Sequence, residues 1–260
     1  GSYSLGLLIT DRVYKEGRYS AQEAAIIATG FSTVSATFMI VVAKTLGLMG
    51  HWNTYFWVTL AITFAVTAVT VRIWPLNRIS TAGYQGREVD AEERPAGSRL
   101  ATAWRAAQQQ AATAPPLARN IAENLRDGVL MAMAILPSIL SVGLLGLVLA
   151  EYTPVFDWLG YVFYPITALL GVPEAMLAAK ASALGIAEMF LPALLVAEAS
   201  MVTKFVIAVV CVSQIIFFSA LVPCVVATEI PLRMRDLVVV WFERVVLTLL
   251  LAIPLAHMLF

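Results

Sequence analysis

Glu188 stands in the run Gly185-Ile186-Ala187-Glu188-Met189-Phe190, among side chains that otherwise carry no polar group. A carboxylate is costly in such surroundings and needs a partner, a cavity or a ligand. Two chemistries suit it: accepting hydrogen bonds from a polar solute, or holding a coupling cation. Lys180 precedes it by roughly two helical turns, which on an unbroken helix puts both on one face. The small residues between them leave room for a break or a cavity, and Lys180 also suits a side chain snorkelling to the inner surface. Hydroxyls gather elsewhere. Gly1-Ser2-Tyr3-Ser4 opens an apolar run, where helix capping and the binding of an anionic or sugar-like group both fit. Ser32, Thr33 and Ser35 interrupt another apolar run after Gly30-Phe31, as close helix packing or a cavity lining would require. Ser213, Gln214 and Ser219 form a fourth cluster, in which Gln214 can both donate and accept. Glu243 and Arg244 are neighbours in the last apolar run, about 100° apart around a helix. With Lys180 they are expected to act as structural or orienting charges.

No enzymatic constellation emerges. His51 and His257 are far apart, Cys211 and Cys224 share one apolar stretch, and no metal spacing or phosphate-cradling glycine loop is present. A non-enzyme without metal or organic cofactor is expected. With no nucleotide-binding motif, a Na⁺ or H⁺ gradient is the expected energy source.

The elements that must position these residues follow from composition. Of 260 residues 60% are hydrophobic and only 13% charged, about half the charge of an ordinary soluble domain, at ~25%. Such a chain cannot hide its apolar surface in a soluble fold, which excludes a soluble enzyme and a disordered chain. Lys plus Arg equals Asp plus Glu at 17 each, so no basic field attracts nucleic acid. An integral membrane protein with the lipid bilayer as its solvent is expected: all-α, a polytopic bundle of transmembrane helices.

A crossing helix needs about 20 apolar residues. Runs at roughly 21–46, 54–75, 128–150, 201–227 and 237–260 meet this, while 154–171 and 174–196 are short or interrupted, giving seven spans. The fragment 1–14 reads as the trailing half of another element, so the N-terminal part of the first repeat is expected to lie before Gly1. Three regions follow: 1–75, a polar linker 76–127 with an amphipathic helix at 99–113 ended by Pro115-Pro116, and 128–260. Thirteen of the seventeen cations share the linker's side if spans alternate, which predicts a cytoplasmic linker and Phe260 outside. A bacterial inner membrane is the expected location.

The two ends of the chain also resemble each other at an offset of about 180 residues. Leu5-Gly6, Lys15-Glu16-Gly17 and the hydroxyl-bearing span after them parallel Leu184-Gly185, Ala197-Glu198-Ala199 and the span holding Ser213 and Gln214. Under the predicted topology the repeats are inverted, an arrangement that suits alternating access.

The strings GSYSLGLLITDRVYKEGRYSAQEAAIIATGFSTVSATFMIVVAKTLGL, ILPSILSVGLLGLVLAEYTPVFDWLG and LGIAEMFLPALLVAEA resemble the YjiH family, over nearly the whole chain. That resemblance implies a nucleoside-recognition, or gate, domain and a second membrane subunit or homo-oligomer as partner. A weaker similarity reaches the concentrative nucleoside transporters. Their first re-entrant hairpin has Gly-Gln-Thr-Glu where this chain has Gly1-Ser2-Tyr3-Ser4. Their following helix carries a pattern like Gly30-Phe31, and their Asn-Glu-Phe run is matched by Ala187-Glu188-Met189, which keeps only the carboxylate. The resulting expectation is a secondary transporter of a small polar solute, nucleoside-like or amino-acid-like. Ser2, Tyr3, Ser4, Ser32, Thr33, Glu188, Ser213 and Gln214 would line its pocket, with Glu188 also serving the coupling ion. The alternative is a non-transporting membrane scaffold or assembly module built on the same domain.

Overall fold

The structure is a computed structural model, and it describes residues 3–30, 35–89, 99–113 and 116–260. Among these the chain is all helical, without a strand. Helix α1 spans Tyr3–Lys15 and packs against α2, Ala21–Thr29. Ser20 starts α2: its hydroxyl accepts from the Glu23 backbone N–H, and the Glu23 carboxylate accepts from the Ser20 N–H in return. The apolar run 21–46 is not one helix. It stops at Gly30 and resumes as α3, Ala36–Thr45, which ends where Gly47 takes a left-handed φ of 72°. A short 3₁₀ turn then leads into α4, Trp52–Thr70.

The linker holds α5, Arg99–Thr113, at the position expected from its sequence. Beyond Pro115-Pro116 the chain enters α6, Leu117–Tyr152, a 36-residue helix that runs straight through the expected boundary at 127/128. Helix α7, Val155–Leu169, turns at Gly171 (φ 75°) into α8, Ala175–Leu184. The pair is close: a Cβ on Gly160 would lie 3.1 Å from the Lys180 backbone nitrogen, a tighter contact than side chains usually make, so the glycine favours this approach.

The run 174–196 behaves differently from a crossing span. Helix α8 stops at Leu184, residues 185–190 leave the helix, and α9 covers only Leu191–Leu195. The Glu174 carboxylate, just before α8, accepts from the Ser200 N–H (3.1 Å) and hydroxyl (2.7 Å) and the Thr203 hydroxyl (2.5 Å) at the start of α10, Met201–Ser213. The segment therefore leaves and returns to one place; it is a hairpin. Lys180 and Glu188 do not share a helical face, because the helix between them ends four residues before Glu188. Lys180 instead meets Asp157 on α7 at 2.9 Å.

Beyond its first turn helix α10 is enclosed on every side, with Phe205 through Phe217 all buried. It packs against α3, α4, α8, α9 and α12, Met234–Leu259. A helix apolar all round belongs in such a core. The expected span 201–227 breaks here too: α10 ends at Ser213, and α11, Leu221–Val226, begins after an irregular stretch. Two parts of the chain thus share one construction. Each opens on a serine cap in extended conformation (Ser20, ψ 161°; Ser200, ψ 160°), runs as a helix, breaks, resumes, and is followed by a long helix. Phe260 stacks edge-on against His51, at the start of α4, whereas the far end of α4 leads to Arg72 and Arg78. The chain's last residue and the beginning of the linker therefore lie at opposite ends of one 19-residue helix.

Candidate functional site

The break after α10 begins with a conformation that side chains avoid. Ile215 has a φ of 61°, and the Ile216 N–H donates to the Gln214 carbonyl at 2.6 Å, a γ-turn centred on a β-branched residue. Such a turn costs on the order of 1–3 kcal/mol and persists only where its surroundings impose it. The surroundings are the second break. The Phe218 and Ser219 N–H groups donate to the carbonyls of Ile186 (2.7 Å) and Ala187 (3.0 Å), so the irregular stretches 185–190 and 214–220 satisfy each other's backbone where they cross. Gly185 makes the crossing possible, because any Cβ there would run into the Gln214 side chain.

Arg244 sits beside this crossing. It comes from the middle of α12, is fully enclosed, and heads the largest buried side chains among the described residues. Its Nε donates to the Ser213 carbonyl at 2.8 Å, and one terminal nitrogen to the Thr67 hydroxyl on α4 at 3.1 Å. The first contact has a clear physical reason. Helix α10 ends at Ser213, so its last carbonyls lack partners and carry the negative end of the helix dipole. The second contact reaches toward the other interrupted helix, since Thr67 also lies against Gly30, where a Cβ would be 3.4 Å from its methyl. Trp241 and Thr248, one turn before and one after on the same face of α12, complete the cluster. Trp241 donates to the Gln214 side-chain oxygen at 3.2 Å, and Thr248 to the Ser213 hydroxyl at 2.8 Å.

The expected site residues fare unequally. Ser213 and Gln214 are completely buried within this cluster, and Ser219 is buried in the break. Glu188 lies at the crossing but turns to its own chain: one carboxylate oxygen accepts from the Phe190 (2.7 Å) and Leu191 (3.1 Å) N–H groups, capping α9. On its other side is α6, where a Cβ on Gly143 would come 3.9 Å from the Glu188 side chain. Glu243 is half-buried and has one buried oxygen without a hydrogen-bond partner among the described residues. Ser2, Ser32 and Thr33 lie outside the described residues; Tyr3 and Ser4 begin α1, and their side chains also fall outside the description.

The chain is similar along its whole length to an uncharacterized protein of Alkalihalophilus pseudofirmus, at 36% identity over 265 residues. It spans 57% of that relative's length. No family model matches the chain, and no solved structure matches it.

Sequence reasoning missed Thr67, Trp241, Thr248 and the role of Gly185. A signal for two of them existed. Positions 241, 244 and 248 recur at helical spacing, so a polar stripe around Arg244 was present in the sequence of α12. Thr67 and Gly185 carry no comparable mark, because their importance arises from contacts across the chain.

Proposed function

We propose that this chain is the gate-like part of a multi-pass membrane protein that moves a small polar solute by alternating access, driven by a Na⁺ or H⁺ gradient. In this reading the segments from Ser20 and from Ser200 are inverted repeats, the linker faces the cytoplasm, and Phe260 faces outside. The observation that carries the proposal is the crossing of two interrupted helices over a buried polar cluster. Irregular backbone at membrane depth is tolerated only inside protein or beside a cavity, and such broken helices are where transporters bind their cargo.

Two further observations support placement in a membrane. Leu48–Thr70 and Met234–Leu259 are long and apolar enough to cross one, with mean hydropathies of 1.3 and 2.1. Large apolar side chains also face outward, including Trp57, Phe64, Leu140, Leu144, Trp158 and Tyr161. Lipid is the solvent that makes such a surface favourable.

A scaffold or assembly module is the second reading, and the capping role of Glu188 favours it. A carboxylate engaged by its own backbone is a satisfied structural acid until something displaces it. Purified protein in proteoliposomes separates the two. Under the transport reading, uridine, L-alanine or succinate accumulates when a Na⁺ or proton gradient is imposed and stops when it is collapsed. Absence of any gradient-driven uptake, together with a stoichiometric partner subunit at purification, would replace transport with assembly.

A further inference from the structure

The polar cluster around Arg244 has too many donors. The guanidinium carries five N–H groups, and the nitrogen that serves neither Ser213 nor Thr67 has no hydrogen-bond partner among the described residues. The Gln214 amide is arranged the same way: its oxygen is occupied by Trp241, while its nitrogen is fully buried and unpartnered. Both groups are wholly enclosed. They belong to one cluster, since Trp241 and Arg244 are one turn apart on α12 while their partners Gln214 and Ser213 are adjacent. The nearby hydroxyls are already engaged. The Thr67 hydroxyl receives Arg244, and the Ser213 hydroxyl receives Thr248.

The charge is also uncompensated. Among the described residues no carboxylate lies within ion-pair distance of Arg244. Glu243 is adjacent in sequence but points away, about 100° around the helix. A buried guanidinium without a counter-charge is expensive, and structures normally pair it. What the cluster lacks is a group that accepts hydrogen bonds and brings a negative charge. Water accepts hydrogen bonds but brings no charge. A carboxylate does both, and the end of a guanidinium matches its two oxygens.

We infer that Arg244 and Gln214 form a binding site for the carboxylate of a small solute, held where α10 breaks between α4 and α12. The inference deepens the transport reading and rests on it for access, because the site is closed here and opens only if the crossing segments part. The solute class is a carboxylic or amino acid rather than a neutral nucleoside. Arg244 would take the carboxylate end-on, while its Nε keeps the Ser213 carbonyl and so ties occupancy to the helix break.

The test uses the whole chain in lipid nanodiscs, followed by thermal unfolding during titration. The probes are acetate, succinate and L-alanine, each beside its neutral amide, and uridine. At least one acid is expected to stabilise the protein saturably while its amide does not. Arg244→Lys should weaken that response roughly 10–100-fold, the loss of one charge-assisted contact set. Gln214→Leu, which keeps the charge and removes only the amide, should weaken it less. No response to any acid overturns the inference, as does equal stabilisation by acid and amide, or an unchanged affinity in every folded variant. Uptake distinguishes the two proposals. Uridine transport with no response to the acids keeps transport and removes this site. A saturable response to an acid that never accumulates keeps the site and removes transport.

Discussion

Gly185→Ala tests whether the two breaks cross as described. Backbone preference alone makes this change favourable, because Gly185 already has helical angles (φ −57°, ψ −23°). An added methyl there ordinarily gains ~0.4–1 kcal/mol by restricting the unfolded chain. Here the Cβ would collide with the end of the Gln214 side chain, 2.7 Å from its amide nitrogen and 2.8 Å from its amide carbon. Gln214 is fully buried and held by Trp241. If its amide stays in place, overpacking costs about 1–3 kcal/mol; if it swings aside, the buried indole N–H goes unpaired at about 1–3 kcal/mol. The single change should therefore destabilise by roughly 0.5–2.5 kcal/mol once the small backbone gain is set against it. Gln214→Ala alone should cost about 1–3 kcal/mol by orphaning the Trp241 N–H. Combined, the collision disappears while the Trp241 N–H stays orphaned, so the double variant should cost what Gln214→Ala costs alone less the backbone gain of Gly185→Ala. Reversible unfolding in mixed micelles, run as a double-mutant cycle, reads this directly. Additivity within ~0.5 kcal/mol, the behaviour of independent sites, would refute the crossing.

Three further outcomes follow from the same geometry. Ser20→Ala should cost ~1 kcal/mol as an ordinary cap, its hydroxyl donating only within the cap to Glu23, and Ser200→Ala more, because the Ser200 hydroxyl donates to Glu174 across the hairpin; unfolding midpoints of the two variants rank them. Glu174, in the link between α7 and α8, is pushed up by burial, but hydrogen bonds from Thr203 and Ser200 outweigh that and hold its carboxyl below the usual range. Its contribution is thus present above the unfolded pKa of about 4.3 and is lost as pH falls through the lower folded value, so Glu174→Gln should flatten the acid limb of a Tm–pH curve. The Asp157–Lys180 pair is 42% exposed at Asp157, so Asp157→Asn should shift stability by less than ~1 kcal/mol; a larger drop in Tm would mean the pair is desolvated.

Most element positions were legible. The apolar runs at 54–75, 154–171 and 237–260 became α4, α7 and α12 with ends within five residues of those expected, and Pro115-Pro116 lies between α5 and α6 as turn chemistry requires. Where hydropathy misled, it did so for one reason: an apolar average does not register a break. Residues 21–46 and 201–227 each read as a single helix and are two. The marks of the breaks were local and small, Gly30 with its flanking hydroxyls in one case and Gln214 with Ser219 in the other. The hairpin at 175–199 was less legible still. Its closure depends on Glu174 finding Ser200, a pairing across 26 residues that no local pattern announces.

Glu188 and Arg244 show why charge in an apolar run identifies a place before it identifies a role. From the sequence, Glu188 is the more suspect group, alone among methyls and rings. In three dimensions it is the better satisfied of the two, because a helix start two residues away supplies N–H groups for its oxygen. Arg244 has the opposite history. Its neighbour Glu243 suggests a local pair, yet adjacent positions on a helix diverge, and the structure gives Arg244 a carbonyl and a hydroxyl instead of a carboxylate. Those partners come from the end of one broken helix and from the residue lying against the break of the other. A single guanidinium therefore holds both interruptions in register while its own charge goes unanswered. Replacing it with a shape-matched apolar residue would remove the charge problem and leave the Ser213 carbonyl bare, so the break itself gives α12 a reason to carry an arginine here rather than a leucine.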